Sequence, residues 1–176
     1  RMMSEKLHAY GWEYINIDDG WEAPERTKGG EILSNDKFPD FKALTDYIHG
    51  LGLKFGIYSS PGATTCGGHV GSYQHEEIDA RTWERWGVDY LKYDYCGYLD
   101  IEKDSKEETI QEPYIVMRNA LDKVKRDIVF CVGYGAPNVW NWAAEAGGNQ
   151  WRTTRDITDE WNVVTAIGTF QDVCAD

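Results

Sequence analysis

Three stretches of this chain repeat one pattern, and the repeat limits the folds open to it. "GWEYINIDD" from Gly11, "GLKFGIYSS" from Gly52 and "GVDYLKYD" from Gly87 each start on glycine, run through a short apolar strand and end in polar side chains. A glycine after a helical pattern is where a left-handed helix cap belongs. The segments between have helical period, as in "FKALTDYIHGLG" (apolar Phe41, Leu44, Tyr47, Ile48, Leu51) and "DARTWERWG". The starting glycines lie 41 and 35 residues apart, a span that fits one strand plus one crossover helix. A fourth unit follows, with helix "TIQEPYIVMRNALDKVKRD" and strand "IVFCVGYG" from near Ile128 to Tyr134. A fifth is shorter, with helix "NVWNWAAEAG" leading to strand "NQWRTT".

Strand and helix in alternation mean a parallel sheet, either doubly wound or closed into a barrel. A doubly wound nucleotide binder carries a glycine-rich turn after an early strand. Here that loop reads "DDGWEAPERTKGGEILSNDKFPD", with no G-x-G-x-x-G. Instead every strand ends in residues with chemical capacity: Asp18 and Asp19, Tyr58, Lys92 and Asp94, Tyr134, Arg152. A barrel gathers such ends in one ring at its C-terminal face, where barrel active sites sit. The expected fold is therefore α/β, a (β/α)8 TIM barrel, with residues 1–176 forming one partial domain. Five strands in 176 residues fall short of the roughly 250 residues of a full barrel. Both ends suggest a piece of a longer protein: "RMMSEKLHAYGWEY" reads as the last turns of a helix entering a strand, and "TFQDVCAD" has no terminating element.

The balance of 18 basic and 30 acidic side chains, a formal charge of −12, argues against nucleic acid or an anionic membrane as partner. No apolar run approaches the roughly 20 residues that span a bilayer. The aromatic content of 14% suits core packing and also the flat walls on which sugar rings stack. The four cysteines (Cys66, Cys96, Cys131, Cys174) form no CxxC pair and have no His-rich partner, which argues against zinc. Disulfides or buried thiols both remain open. No cofactor and no metal are expected.

"GVDYLKYDYCGY" puts charge where a buried strand should stay apolar. Side chains two apart on a strand share a face, so Lys92 and Asp94 point the same way. They could form a salt bridge at the rim, or Asp94 could be a nucleophile or base beside a cation. Asp18 and Asp19 could open a turn, or join the same ring, since Asn16 and Asp18 also share a face. Arg152 is expected in the fifth strand and Asp156 just beyond it. Asp159 and Glu160 are read as the first turn of the next helix, where the dipole favours acids. Two carboxyl groups in one pocket, without a metal cluster, suit glycoside hydrolysis. A carboxyl separation of about 5–5.5 Å would mean retention, about 6.5–9.5 Å inversion.

From about Gly11 to Trp161, "YINIDDGW", "GLKFGIYSS", "TTCGG", "GSYQHEEIDARTWERWGVDYLKYDYC" and "WRTTRDITDEW" together resemble family 27 of the glycoside hydrolases, the α-galactosidase and α-N-acetylgalactosaminidase family. The resemblance implies a retaining hydrolase with Asp94 as nucleophile and Asp156 as acid/base. It further implies Asp18, Asp19, Lys92 and Arg152 as sugar contacts, Trp21 and Tyr58 as pocket aromatics, and a Cys66–Cys96 disulfide. That bridge implies an oxidising compartment: secreted or periplasmic, or lysosomal in a eukaryote. Cys131 and Cys174 are expected as free buried thiols.

The chain also departs from the family pattern. Many relatives read "DDCW" where this chain has Gly20, and a second family bridge is absent at positions matching Val132 and Gly148. After the fifth strand of the family barrel, where relatives face the sugar's second carbon, this chain has Gly133 with Ala136 nearby. The resemblance ranks α-galactose first, ahead of N-acetylgalactosamine and β-L-arabinopyranose. It places the chain at about strands 2 to 6 of the barrel, with sheet edges and apolar helix faces left exposed. The rivals are a non-catalytic sugar-binding homologue and a structural domain in which these charges only decorate a rim. The second would not bring Lys92, Asp94, Arg152 and Asp156 together.

Overall fold

The computed structural model describes residues 1–103, 106–135 and 138–174, with the backbone alone for 173–174. Five strands form one sheet: β1 (Tyr14–Asn16), β2 (Lys54–Ser59), β3 (Tyr90–Tyr93), β4 (Val129–Val132) and β5 (Gln150–Trp151). Every pair is parallel and the spatial order is the chain order. A doubly wound sheet reverses its order at a switch point; this one does not, so it winds one way, as a barrel wall does. Helices α1 (Met2–Lys6), α2 (Phe41–Gly50), α3 (Glu76–Trp86), α4 (Glu107–Leu121) and α5 (Trp161–Phe170) complete the regular structure.

Local chemistry explains the boundaries. Asp40 caps α2 by accepting Ala43 N–H at 2.9 Å, which satisfies one of the first-turn amides. Acids at Glu76, Glu77 and Asp79 occupy the first turn of α3, where the helix dipole favours them. Gly11, Gly52 and Gly87 sit at φ of +88°, +75° and +85° before β1, β2 and β3, a left-handed conformation that glycine adopts without steric cost.

Strand parity divides the sheet. Phe55, Ile57, Leu91, Tyr93, Phe130 and Val132 are buried beneath the helices. There Phe41 of α2 meets Phe55 and Tyr114 of α4 meets Tyr93 in ring contacts. The other face carries Asn16, Gly56, Tyr58, Lys92 and Cys131, aligned across the ladder by the pairs Asn16↔Gly56, Tyr58↔Lys92 and Lys92↔Cys131. Asn16 fills the space of a missing side chain at Gly56, where a Cβ would lie 2.0 Å from its Oδ1.

Some expected elements differ. Tyr47 of α2 is 52% exposed while Thr45 is fully buried, so the packed stripe lies a residue or two from the apolar reading. The segment "NVWNWAAEAG" is no continuous helix: a short 3-10 turn at Val139–Asn141 is followed by turns. Its apolar spacing still has a purpose, since Val139, Trp142, Ala143 and Ala146 are buried. Asp159 and Glu160 precede α5, whose first residue is Trp161, with Glu160 at the cap position. Among the described residues β1 and β5 are the sheet edges. Trp12 and Trp161 stand exposed near the two ends, and α5 has no buried residue, as expected of a barrel wall without its remaining strands.

Candidate active site

The ladder runs past the ends of β3, β4 and β5. Asp94 N–H donates to Ser59 O at 2.9 Å, Gly133 N–H to Tyr93 O at 2.7 Å and Arg152 N–H to Val132 O at 3.2 Å. This register sets Asp94, Gly133 and Arg152 side by side at the C-terminal edge. The Asp94 carboxylate is oriented by Tyr95 N–H on Oδ1 (2.8 Å) and by the Tyr58 hydroxyl on Oδ2 (3.2 Å). Burial, and then the charges of Asp94 and Asp19, push the Tyr58 phenol up, so it remains a donor at neutral pH.

Lys92 and Asp94 leave the same face, but the ion pair forms elsewhere. Lys92 Nζ bonds Asp18 Oδ2 at 2.7 Å and lies 5.0 Å from the centre of the Tyr58 ring, within cation–π range. Burial alone would raise the Asp18 carboxyl; the Lys92 hydrogen bond and the Asp19 amide outweigh it and hold Asp18 below its usual range. Asp19 accepts the Thr65 hydroxyl at 2.8 Å and Gly67 N–H at 2.6 Å. A carboxylate has about four lone-pair sites, so capacity remains for a ligand. A Cβ on Gly67 would lie 2.9 Å from Asp19 Oδ2, so glycine lets this amide approach the carboxylate closely.

Trp21 corrects the sequence expectation. It is wholly buried, donates its indole N–H to Tyr58 O at 2.9 Å and packs edge-on against Phe41 and Trp86. It supports the strand beneath Tyr58 and has no free surface for a sugar.

Arg152 bonds Asp156 Oδ1 at 2.7 Å. A cavity of about 310 Å³ is lined by Asp94, Asp156, Arg152, Tyr134 and Gly133 among others, at the small end of ligand pockets. Gly133 lends no side chain to it, since a Cβ would stand 2.7 Å from Tyr93 O.

Cys66 and Cys96 are bonded, with Cα atoms 5.0 Å apart and a sequence separation of 30. The bridge ties the 64–70 hairpin to the exit of β3, and Cys66 Sγ accepts a second contact from Tyr58 Oη at 3.1 Å. Among the described residues the two sulfurs and the Asp94 carboxylate form a metal-like cluster, but both sulfurs are committed to the disulfide. Closing a loop of this length restricts the unfolded chain by about 3–4 kcal/mol in the entropic model. Replacing both cysteines by serine is therefore expected to lower unfolding free energy by that order in urea titrations; a loss under about 1 kcal/mol would contradict it.

Cys131 is a buried thiol, pushed up by burial. The side chain of Cys174, and Ala136, lie outside the described residues. Val132 and Gly148, where the family resemblance puts an absent bridge, are neighbours: a Cβ on Gly148 would come within 2.8 Å of Val132 Cγ2. Sequence reading missed Glu22 and Arg155. Arg155 lines the cavity with Asp156, and its place inside "WRTTRDI" was a usable signal.

A parallel sheet wound one way, with Asp94 and Asp156 lining one cavity past its strand ends, defines the class: part of a (β/α)8-barrel protein with a carboxylate-lined cavity. More specifically, the chain belongs to glycoside hydrolase family 27, since the Alpha galactosidase A (Melibiase_2) family model matches residues 1–175. It is 46% identical over 164 residues to Alpha-galactosidase A of Cellvibrio japonicus, covering 92% of this chain and 38% of that protein. It is 44% identical over 172 residues to Alpha-galactosidase of Cyamopsis tetragonoloba, covering 94% and 39%. Among solved structures it matches alpha-galactosidase I from Mortierella vinacea at TM-score 0.85 and 38% identity, over 92% of this chain and 41% of that one. The alfa-galactosidase from Saccharomyces cerevisiae, solved with raffinose, matches at TM-score 0.83 and 30% identity, over 90% and 35%. The chain thus spans about two-fifths of the length of the curated relatives it matches, and its strands match part of their barrel.

Proposed function

We propose that the protein is a retaining α-galactosidase to which this chain contributes both catalytic aspartates. The observation that carries the reading is the shared cavity of Asp94 and Asp156, with Asp94 oriented by Tyr58 and Tyr95. In the first step Asp94 attacks the anomeric carbon, the bond to the leaving oxygen breaks, and Asp156 gives that oxygen a proton. In the second, Asp156 takes a proton from water, whose oxygen displaces Asp94 and frees the sugar. Lys92 and Asp18, linked at 2.7 Å, offer a donor and an acceptor to sugar hydroxyls; Asp19 and Arg152 extend that set. The relatives' names and the raffinose-bound yeast structure favour terminal α-galactose in oligosaccharides. The Cys66–Cys96 bridge favours an oxidising compartment, and no helix among the described residues is long and apolar enough to cross a membrane.

A second reading, α-N-acetylgalactosaminide or β-L-arabinopyranoside as substrate, has one observation behind it: Gly133 and Gly135 line the cavity without side chains. Hydrolysis of the three aryl glycosides by the full-length protein separates these readings. The α-galactoside is expected to be cleaved fastest. A folded protein that cleaves none would overturn the proposal in favour of a sugar-binding homologue.

Asp156→Asn tests the acid role. Removing a general acid costs on the order of 10²–10⁴-fold, and the loss should be much smaller for aryl galactosides whose leaving group needs no proton. An equal loss in kcat/KM, which reports the first step, for good and poor leaving groups would contradict the assignment.

A further inference from the structure

The loop after Asp19 holds a buried acid to which the proposed reaction gives no part. Glu22 is 2% exposed, and its Oε1 is buried without a hydrogen-bond partner among the described residues. Its Oε2 accepts Gly20 N–H at 3.1 Å, so the carboxyl curls back onto the turn that carries Asp18 and Asp19. That turn is fixed from outside as well. Asn35 Nδ2 donates to Gly20 O at 2.9 Å, while Thr65 and Gly67 hold Asp19. Gly20 itself sits at φ +94°, which a larger residue adopts only with strain. Glu22 is thus one hydrogen bond from the peptide that follows Asp19.

Among the described residues, two titratable groups are set against it. Asp19 lies on its own turn. His69, from the 64–70 hairpin, lines the same cavity of about 440 Å³. The neighbouring segment contributes Ser34 and Asn35, neither of which titrates. Burial first, then the Asp19 charge, push the Glu22 carboxyl up to about 7, against the opposing pull of the amides of residues 20–22.

We propose that Glu22 is a positioning residue that couples its own proton to sugar binding at Asp18 and Asp19. The inference rests on the glycosidase reading. A sugar seated on that turn displaces the water that screens Asp19 from Glu22, which makes a second negative charge there more costly. By linkage, the neutral form of Glu22 then binds sugar more tightly than the ionised form. Sugar affinity falls as pH rises through about 7, while the chemical steps at Asp94 and Asp156, which Glu22 does not touch, keep their own pH profile.

The test uses the full-length protein as wild type, Glu22→Gln, and His69→Asn as control for the imidazole across the cavity. Galactose binding is measured by calorimetry between about pH 5.5 and 8.5, beside KM and kcat for an aryl α-galactoside. Wild-type Kd and KM are expected to rise on the order of threefold to tenfold across pH 7, with no matching step in kcat. Glu22→Gln should stay flat at the low-pH value and His69→Asn should keep the wild-type step. Carbon NMR of the carboxyl reads the same coupling without a variant, through an upward move of the Glu22 inflection when galactose saturates the site. A step that survives in Glu22→Gln, an inflection that galactose leaves in place, or no galactose binding at any pH would overturn the proposal. Binding with the expected step but no galactoside cleavage would instead overturn the hydrolase reading and leave the coupling standing.

Discussion

Asp94→Ala is expected to lower α-galactoside hydrolysis by a factor on the order of 10⁴ or more, the scale on which removal of a covalent nucleophile acts. Among the described residues, the acids around Asp94 are held by other partners. Asp18 is bonded to Lys92 and Asp19 to Thr65 and Gly67, while the proposal gives Asp156 the opposite task of moving the proton. The fold should survive the change. Asp94 is only half-buried, its amide stays in the ladder with Ser59, and Tyr58 retains its contact with Cys66 Sγ. The stability cost is then about that of one or two hydrogen bonds, roughly 1–2 kcal/mol. Steady-state kinetics beside circular dichroism checks both halves. A folded Asp94→Ala protein with a tenth of wild-type activity would remove Asp94 from the reaction.

The largest effect on stability is expected from a residue far from the chemistry. Arg26 makes a two-pronged pair with Asp79 of α3 (Nη1 to Oδ1 at 2.6 Å, Nη2 to Oδ2 at 2.8 Å) and also donates to Gly30 O and Gly71 O. Asp79 is fully buried and the Arg26 side chain is 12% exposed. One guanidinium therefore holds the loop after β1, the segment before α3 and α3 itself. Removing one partner of such a pair leaves a buried charge alone, at a cost of about 3–5 kcal/mol. Arg26→Ala should lose that much in urea unfolding, and Arg26→Lys should recover only part, because an ammonium cannot reproduce the planar fork. A loss below about 1 kcal/mol for Arg26→Ala would contradict it. The same variant should weaken sugar binding, since the 20–35 loop positions Glu22 and the hairpin positions Thr65 and Gly67.

The sequence carried the frame of this fold because its signals are local. Gly11, Gly52 and Gly87 mark helix ends through a backbone conformation that depends on one residue, and the strands that follow share a two-residue period. Lys92 and Asp94 could be placed on one face for the same reason. What the sequence did not carry are partners brought together from a distance. Lys92 meets Asp18 across 74 positions and Arg26 meets Asp79 across 53; nothing local distinguishes these pairs from other charges. Trp21 was expected as a pocket aromatic from the family resemblance, yet the chain turns at Gly20 and drives the indole into the core. The "NVWNWAAEAG" segment has helical apolar spacing, but between Asn138 at φ +71° and Gly147 at φ +85° its backbone bonds mix three- and four-residue spans, which gives turns in place of a regular helix. Glu22 stood in plain view within "DDGWE", and only its burial beside Asp19 gives it meaning.

The central claim is that Asp94 forms the bond to the sugar and Asp156 moves the proton. A fluorinated galactosyl reagent that stalls the glycosyl-enzyme, followed by proteolysis and mass spectrometry of the full-length protein, tests it most directly. The expected result is one galactosyl adduct on the peptide containing Asp94, absent in Asp94→Ala. An adduct on Asp156, on Asp18 or Asp19, or no adduct from an enzyme that consumes the reagent, would contradict the account.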